Sequence, residues 1–387
     1  MPDEFSTRLL NGLAEVSAAS WNSLAGDSNP FIQHEYLYGL EKHDCLDEHG
    51  WQAQHLAIYS DSILVGAMPL YLRSNSHGEF VFDWAWADAY EQSGGKYYPK
   101  LVSAIPFAPV MGPRLLVRED APSKDRIKML LVKQLRQLTD SNQLSSSHCL
   151  FTEEADQAFF QNSGFMQRLT CQFHWQNDAY RDFDDFLDRL SSKKRKQIKR
   201  ERRQVTESGI EIEVMTGARI SEMHWQVYYQ FYCSTFLRRW GNPRLTLAFF
   251  KMLGSVMPDK TLLILAKDGN EYVAGAFAML SNDTLYGRHW GCNELFPFLH
   301  FELCYYQTID YAIKHGLRTV DAGVQGEHKL ARGFQPVAAR SWHSIRHPGF
   351  RQAIQDYLHR ETAELTTHLE SLRERLPFKQ VQNDQTG

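Results

Sequence analysis

The clearest pattern of hydrophobic and polar positions lies between residues 261 and 321. Thr261-Leu-Leu-Ile-Leu-Ala-Lys267 is apolar and strand-like. Asp268-Gly269-Asn270 follows as a hairpin turn, because glycine accepts positive φ at little cost. Tyr272–Leu280 returns, Ser281-Asn-Asp283 turns again, and Thr284–Trp290 completes a β-meander. A helix over about 300–315 is predicted next. Its stripe of Phe301, Cys304, Tyr305, Thr308, Ile309, Ala312 and Ile313 repeats every 3.6 residues, and Gly316 stands where a C-terminal cap belongs. Arg318–Asp321 reads as a short strand beside the meander.

The first half carries a similar order. Gln54–Tyr59 and Ser62–Leu72 form a hairpin around Ser60-Asp61. Glu79–Ala85 reads as a further strand, Trp86–Gln92 as a short helix, and 102–116 as a proline-interrupted strand pair. Lys124–Leu138 is predicted helical and Cys149–Thr152 extended. Two halves of related order suggest a tandem duplication, with domains at 1–175 and 176–387. The second would include a basic helix at 191–206 and a packing helix at 350–376, with a disordered tail after Pro377.

Composition changes this picture little. The 387 residues are 43% hydrophobic and 23% charged, enough for two cores. A net charge of −4 implies no whole-protein attraction to nucleic acid or membrane. The N-terminal residues lack a basic and an apolar stretch, so no signal peptide is expected, and no run approaches the roughly 20 apolar residues of a membrane-spanning helix. Six scattered cysteines without a CxxC pair fit a reduced, cytoplasmic protein, with neither a disulfide framework nor a metal site. P-loop, GxGxxG, GxSxG and HExxH motifs are absent.

Candidate chemistry concentrates in Asp321-Ala-Gly-Val-Gln-Gly-Glu-His-Lys-Leu-Ala-Arg332, directly after a strand. Glu327 or His328 is placed to act as general base toward an amine, with Glu327 preferred. Lys329 and Arg332 are candidates for holding a carboxylate or phosphate, and Gln325 adds a polar group. The competing reading is a loop whose charges cap the next helix. Arg288 and Trp290 share one face of the third meander strand. His300 and Glu302 open the helix, where an acid also complements the dipole. In the first half, Asp83, Asp88 and Tyr90 fall among Trp84, Trp86, Tyr97, Tyr98 and Lys100, a set suited to a polar or cationic ligand or to a packed core.

The basic run Lys193–Arg203 holds eight Lys or Arg in eleven residues. Ile198 and Val205 mark its buried side. Lys193, Arg195, Lys196 and Arg200 are candidates for a donor's phosphates, against the alternative of a solvated surface helix.

Several long strings carry a resemblance. They are Asn29-Pro-Phe-Ile-Gln-His34, Gly78-Glu-Phe-Val-Phe-Asp83, Trp86-Ala-Asp-Ala-Tyr90, Tyr97-Tyr-Pro-Lys-Leu101, Pro106–Arg114, Gln172-Phe-His-Trp175, Ser191-Ser-Lys-Lys-Arg195, Leu285–Gly291, His300-Phe-Glu302 and Gln325-Gly-Glu-His-Lys329. Together they resemble the FemAB-like family of N-acyltransferases over nearly the whole chain. That resemblance implies an α/β protein with two tandem GNAT-like acyl-CoA N-acyltransferase domains. It implies an acyl-CoA-type donor, or aminoacyl-tRNA as in the Fem ligases, and an amine acceptor. A binding protein that kept the fold and lost the reaction is the rival from another class. The family pattern has Glu and Ala where this chain has Asp321 and Val324. The usual GNAT pyrophosphate motif is replaced by Gly291-Cys-Asn-Glu-Leu-Phe296, which speaks against acetyl-CoA itself.

Overall fold

The computed structural model describes residues 5–238, 241–294, 296–324 and 326–379. The chain forms two compact units that are not contiguous halves. One comprises Met1–Thr170, Arg244–Met257 and Ala338–Thr366. The other comprises Cys171–Pro243, Pro258–Val337 and Thr367–Gly387.

In the second unit, the predicted meander is present as strands Thr261–Asp268, Glu271–Leu280 and Thr284–Cys292. Strand Ile210–Thr216 adds antiparallel to its outer edge. On the other side, Thr319–Asp321 pairs parallel with Thr284–Tyr286, and antiparallel with His174–Gln176. Parallel pairing needs a crossover, and the helix around 300–314 supplies it. Helix Glu222–Leu237 lies so close on the third meander strand that a Cβ on Gly291 would stand 1.9 Å from the Phe231 carbonyl oxygen. Ser234 and Thr235 hydroxyls there donate to the Cys292 and Trp290 carbonyls. The core gathers Trp175, Phe186, Leu262, Ile264, Leu285, Ile309, Leu330 and Phe334.

The crossover helix departs from the expected period. It starts as Leu299–Phe301, widens into a π turn over Glu302–Tyr306, and continues regularly over Gln307–Lys314. The extra residue of a π turn rotates its neighbours, a feature common at functional sites. Leu303 and Tyr306 are therefore fully buried, whereas the expected Phe301 and Cys304 are only partly so.

In the first unit, residues 340–345 pair antiparallel with Ser146–Thr152, which runs parallel to Lys100–Ser103. Tyr71–Arg73 and Trp51–Ala53 continue antiparallel. Helix Lys124–Ser141 makes the crossover. Both units thus contain two antiparallel pairings, one parallel crossover and one antiparallel partner in that order, and the second unit has one further antiparallel strand at its outer edge. The first unit adds a four-stranded antiparallel sheet of Phe5–Leu10, His55–Ser60, Ile63–Met68 and Leu116–Val117. Leu56, Ile58, Met68, Ile127, Leu131, Leu135, Phe160 and Trp342 fill its core.

One expected strand is absent. Residues 79–83 form no strand, because Gly78 and Phe80 have φ of 84° and 62°, and helix Trp84–Gln92 begins at once. Of the tail after Pro377, Phe378 bridges Leu190 and Lys379 N–H donates to Arg189 O at 2.9 Å, while residues 380–387 lie outside the described residues. The packing helix is there as Pro348–Glu374, with Ile354, Leu358, Leu369 and Leu372 buried.

The first unit also buries a chain of charges. Lys100 meets Glu79 at 2.8 Å and Asp83 at 2.6 Å, and Arg73 meets Glu79 at 3.1 Å. His148 Nε2 lies 3.8 Å from Asp83, and its Nδ1 lies 2.7 Å from His343 Nδ1. Burial, and then Lys100, push the His148 imidazole down to about 3. Burial and His148 push His343 down as well. An unfolded histidine titrates near 6.5, so below that pH the unfolded chain takes up protons that the folded unit refuses. Stability present above pH 6.5 should therefore be lost as pH falls from there toward 3, by roughly 1 kcal/mol per pH unit for each histidine. Thermal unfolding between pH 7 and 5 checks this. Carboxylates alone would leave the melting temperature flat until about pH 4.5.

Candidate active site

The turn after strand Thr319–Asp321 is held from below by buried charge. Asp321 accepts from Arg288 at 2.7 Å and from the Gly323 N–H at 2.7 Å, and stands 3.6 Å from His174. Burial alone would raise the Asp321 carboxyl, but Arg288 and His174 hold it below the usual range. Arg288 is thus a strut for the strand end, with only 4% of its side chain exposed.

Lys329 and Arg332 are also internal. The Lys329 ammonium donates to the carbonyls of Ala322 at 2.5 Å and Gly323 at 3.5 Å, and lies over the Phe173 ring. Burial brings it down to about 8. Arg332 donates to Glu201 at 2.8 Å, to the Tyr306 hydroxyl at 2.9 Å and to the His328 carbonyl at 2.8 Å, and stacks on Phe301 at 3.5 Å. Neither cation is open to an incoming carboxylate or phosphate. Both fix the turn that carries His328.

Glu327 and His328 part company. Glu327 is exposed, accepts from Arg375 at 3.0 Å, and lies 3.9 Å from His368. His328 Nε2 is 2.9 Å from the Tyr305 hydroxyl. Its ring folds back over Gly326, where a Cβ would come within 2.4 Å of it. Gly326 (φ 98°) therefore permits both the turn and the ring position. His300, Phe301 and Tyr305 surround the imidazole at centroid distances of 6.1, 5.6 and 5.7 Å. Trp290 in turn meets His300 at 5.3 Å. Burial, then Arg332 and Lys329, lower the His328 imidazole, and His300 is pushed down to about 4, mainly by burial. The result is a pair of imidazoles neutral at pH 7, of which His328 is the exposed one. Gln325 lies outside the described residues.

A family profile described as peptidoglycan biosynthesis/recognition, FemAB-like, matches residues 12–380. The chain belongs to the FemAB-like family. No curated protein matches it significantly. Among solved structures, it is similar to FemX at 11% identity, over 88% of this chain and 98% of that one, with a TM-score of 0.53. It is similar at 8% identity to the C-terminal domain of a putative lysylphosphatidylglycerol synthetase from Agrobacterium fabrum, over 89% and 96%, with a TM-score of 0.54. A tandem GNAT protein of the clavulanic acid pathway aligns at 11% identity over 89% and 99%, with a TM-score of 0.44. Its fold is thus shared with FemX and with that synthetase domain.

The basic helix of this FemAB-like chain, Ser192–Glu207, is sorted by its partners. Arg195 pairs with Asp188, Lys199 with Asp184, Arg202 with Glu302, and Arg203 with Glu207. Glu201, the one acid of the run, is buried against Arg332 and the Tyr306 hydroxyl. Lys193, Lys196 and Arg200 are exposed, have no ion partner among the described residues, and line a shallow cavity of about 350 Å³ with Gln197. These positions at i, i+3, i+4 and i+7 form one helix face.

Glu302 does not stand before the His328 ring. It is buried, held by Arg202 and by Gln307 at 2.8 Å, in the wall of a separate cavity of about 580 Å³ with Phe183, Leu187, Val205 and Ile210. In the first unit, Asp83 is locked into the Lys100 cluster, and Tyr90 packs on Tyr97 and Phe350. Only Asp88 of that trio is exposed. Among the described residues no group of three or more His, Cys, Asp or Glu is arranged to hold a metal ion, and no helix is long and apolar enough to cross a membrane.

Sequence reasoning missed Tyr305, Tyr306 and Glu201. Glu201 had a signal, as a lone carboxylate on the Ile198–Val205 side of a cationic run. Tyr305 was marked only as part of the apolar stripe, and Tyr306 had no signal, since the π turn that aims it inward leaves no mark in the hydrophobic period.

Proposed function

We propose that this protein is a cytoplasmic N-acyltransferase that moves an acyl group from an ester or thioester donor to an amine. The observation that carries this reading is His328, an accessible imidazole kept neutral and oriented by Tyr305. Donating Nε2–H to the Tyr305 oxygen leaves the Nδ1 lone pair to take a proton. The amine nitrogen would attack the donor carbonyl, its surplus proton would pass to His328, the donor's C–S or C–O bond would break, and His328 would return the proton to the departing sulfur or oxygen. Trp290 and His300 would wall the approach, and positioning would supply most of the acceleration. Arg332 and Lys329 act through the backbone of the turn. Six free cysteines fit a reducing compartment.

The donor is read from the basic helix. Three unpartnered cations on one face suit the phosphates of a CoA-type donor. They equally suit a Fem-type aminoacyl-tRNA, which the likeness to FemX favours as the second reading. Native mass spectrometry of the protein as purified from cells tests the first by the mass of a carried-over CoA species. The triple variant Lys193→Gln, Lys196→Gln, Arg200→Gln is expected to lose donor affinity with little change in melting temperature, whereas Arg195→Gln retains it. With RNA, wild-type affinity should fall with log salt at a slope of about −2 for three neutralised phosphates, and the triple variant should lose that slope. Unchanged binding of both CoA and RNA in the triple variant would return the helix to a merely solvated surface.

A further inference from the structure

Residues 79–84 alternate in burial with the wrong sign. Glu79, Val81 and Asp83 are buried, whereas Phe82 and Trp84 are 43% and 46% exposed. Burying charges is a poor route to stability, since the desolvation cost rivals the attraction gained. Here the buried charges hold a loop. Lys100 binds Glu79, Asp83 and the Ser76 hydroxyl, Arg73 binds Glu79 and the His77 carbonyl, and Arg168 donates to the Phe82 carbonyl at 2.7 Å. What the loop presents is an aromatic pair. The Phe82 and Trp84 rings stack at 4.5 Å and 26°, with His77 tilted against Trp84 at 5.9 Å.

The following helix, Trp84–Gln92, continues the feature. Trp84, Asp88 and Glu91 occupy i, i+4 and i+7, so they share one face, and all three are exposed. Neither carboxylate has a partner among the described residues, and Glu91 lies in the last turn, where the helix dipole disfavours an acid. An exposed indole followed along one face by two free carboxylates repels phosphate. It suits an organic ammonium, drawn both to the ring face and to the carboxylates.

We infer that Phe82, Trp84, Asp88 and Glu91 form a docking site for an alkylammonium group. This inference stands apart from the N-acyltransferase reading and is tested by binding alone. The full chain is titrated with 1,5-diaminopentane, followed by saturation-transfer NMR, with 1,5-pentanediol and N-acetylglucosamine as neutral controls. The diamine is expected to bind in a salt-sensitive manner and the neutral probes not to bind at the same concentrations. Trp84→Ala should weaken diamine binding about two- to fivefold, as a surface cation–π contact is worth. The double variant Asp88→Asn, Glu91→Gln should weaken it without shifting the melting temperature. Equal binding by wild type and both variants, or preference for the sugar or diol, overturns the site. Diamine binding that persists in a protein with no acyl transfer would sink the enzymatic reading and leave this site standing.

Discussion

Arg332→Met is expected to lower the melting temperature of the second unit by roughly 6–20 °C. The variant leaves the Glu201 carboxylate buried without its cation, and removing one partner of a buried pair costs about 3–5 kcal/mol. For a unit of this size each kcal/mol moves the midpoint by roughly 2–4 °C. Calorimetry of the single variant measures the effect. Adding Glu201→Met should restore most of the stability, since apolar replacement of a buried ion pair is often neutral. Turnover should not return with it, because the His328 carbonyl still lacks the Arg332 guanidinium. A double variant that recovered both would make the pair a packing device with no part in placing the imidazole.

His328→Gln should lower kcat/KM by about 10²–10⁴, or roughly 3–5 kcal/mol of barrier, while leaving donor binding intact. Glu327→Gln should cost less than about fivefold, as the loss of an exposed ion pair does. The pH profile gives an independent readout. A base whose pKa is lowered by burial and two neighbouring cations stays deprotonated below 6.5, so the acid limb of kcat/KM should fall below that value. If Glu327→Gln is the variant that abolishes turnover, or if His328→Gln is fully active, the roles assigned to these neighbours are wrong.

The sheet of the second unit was legible in the sequence because Gly269 and Ser281–Asp283 punctuate apolar runs of strand length. The crossover helix was legible because Thr308, Ile309, Ala312 and Ile313 keep the helical period. Residues 79–85 misled for a physical reason. Their alternation is real, but it places acids inside and aromatics outside, and no rule of hydrophobic burial anticipates that inversion. The return of 244–257 and 338–366 to the first unit was hidden, since pairing between 340–345 and 146–152 depends on chain segments nearly two hundred residues apart. At the candidate site, the residue types were readable and their directions were not. Glu327, His328, Lys329 and Arg332 are neighbours in sequence, yet one faces a helix end, one a tyrosine, and two the interior.

The π turn at Glu302–Tyr306 holds one residue more than an α-helix would need over the same rise. Each residue of an α-helix turns the chain by about 100°. Deleting Cys304, the partly buried member of the turn, would let the segment relax into regular helix and swing His300 and Phe301 round the axis relative to Ile309 and Ile313. The Trp290–His300–His328 group would come apart while the hydrophobic stripe behind it stayed in place. A one-residue change in length, neutral by every measure of composition and pattern, is therefore enough to separate the scaffold of this protein from its chemistry. Among FemAB-like chains, helix length at this point would sort those that share the site from those that share only the fold.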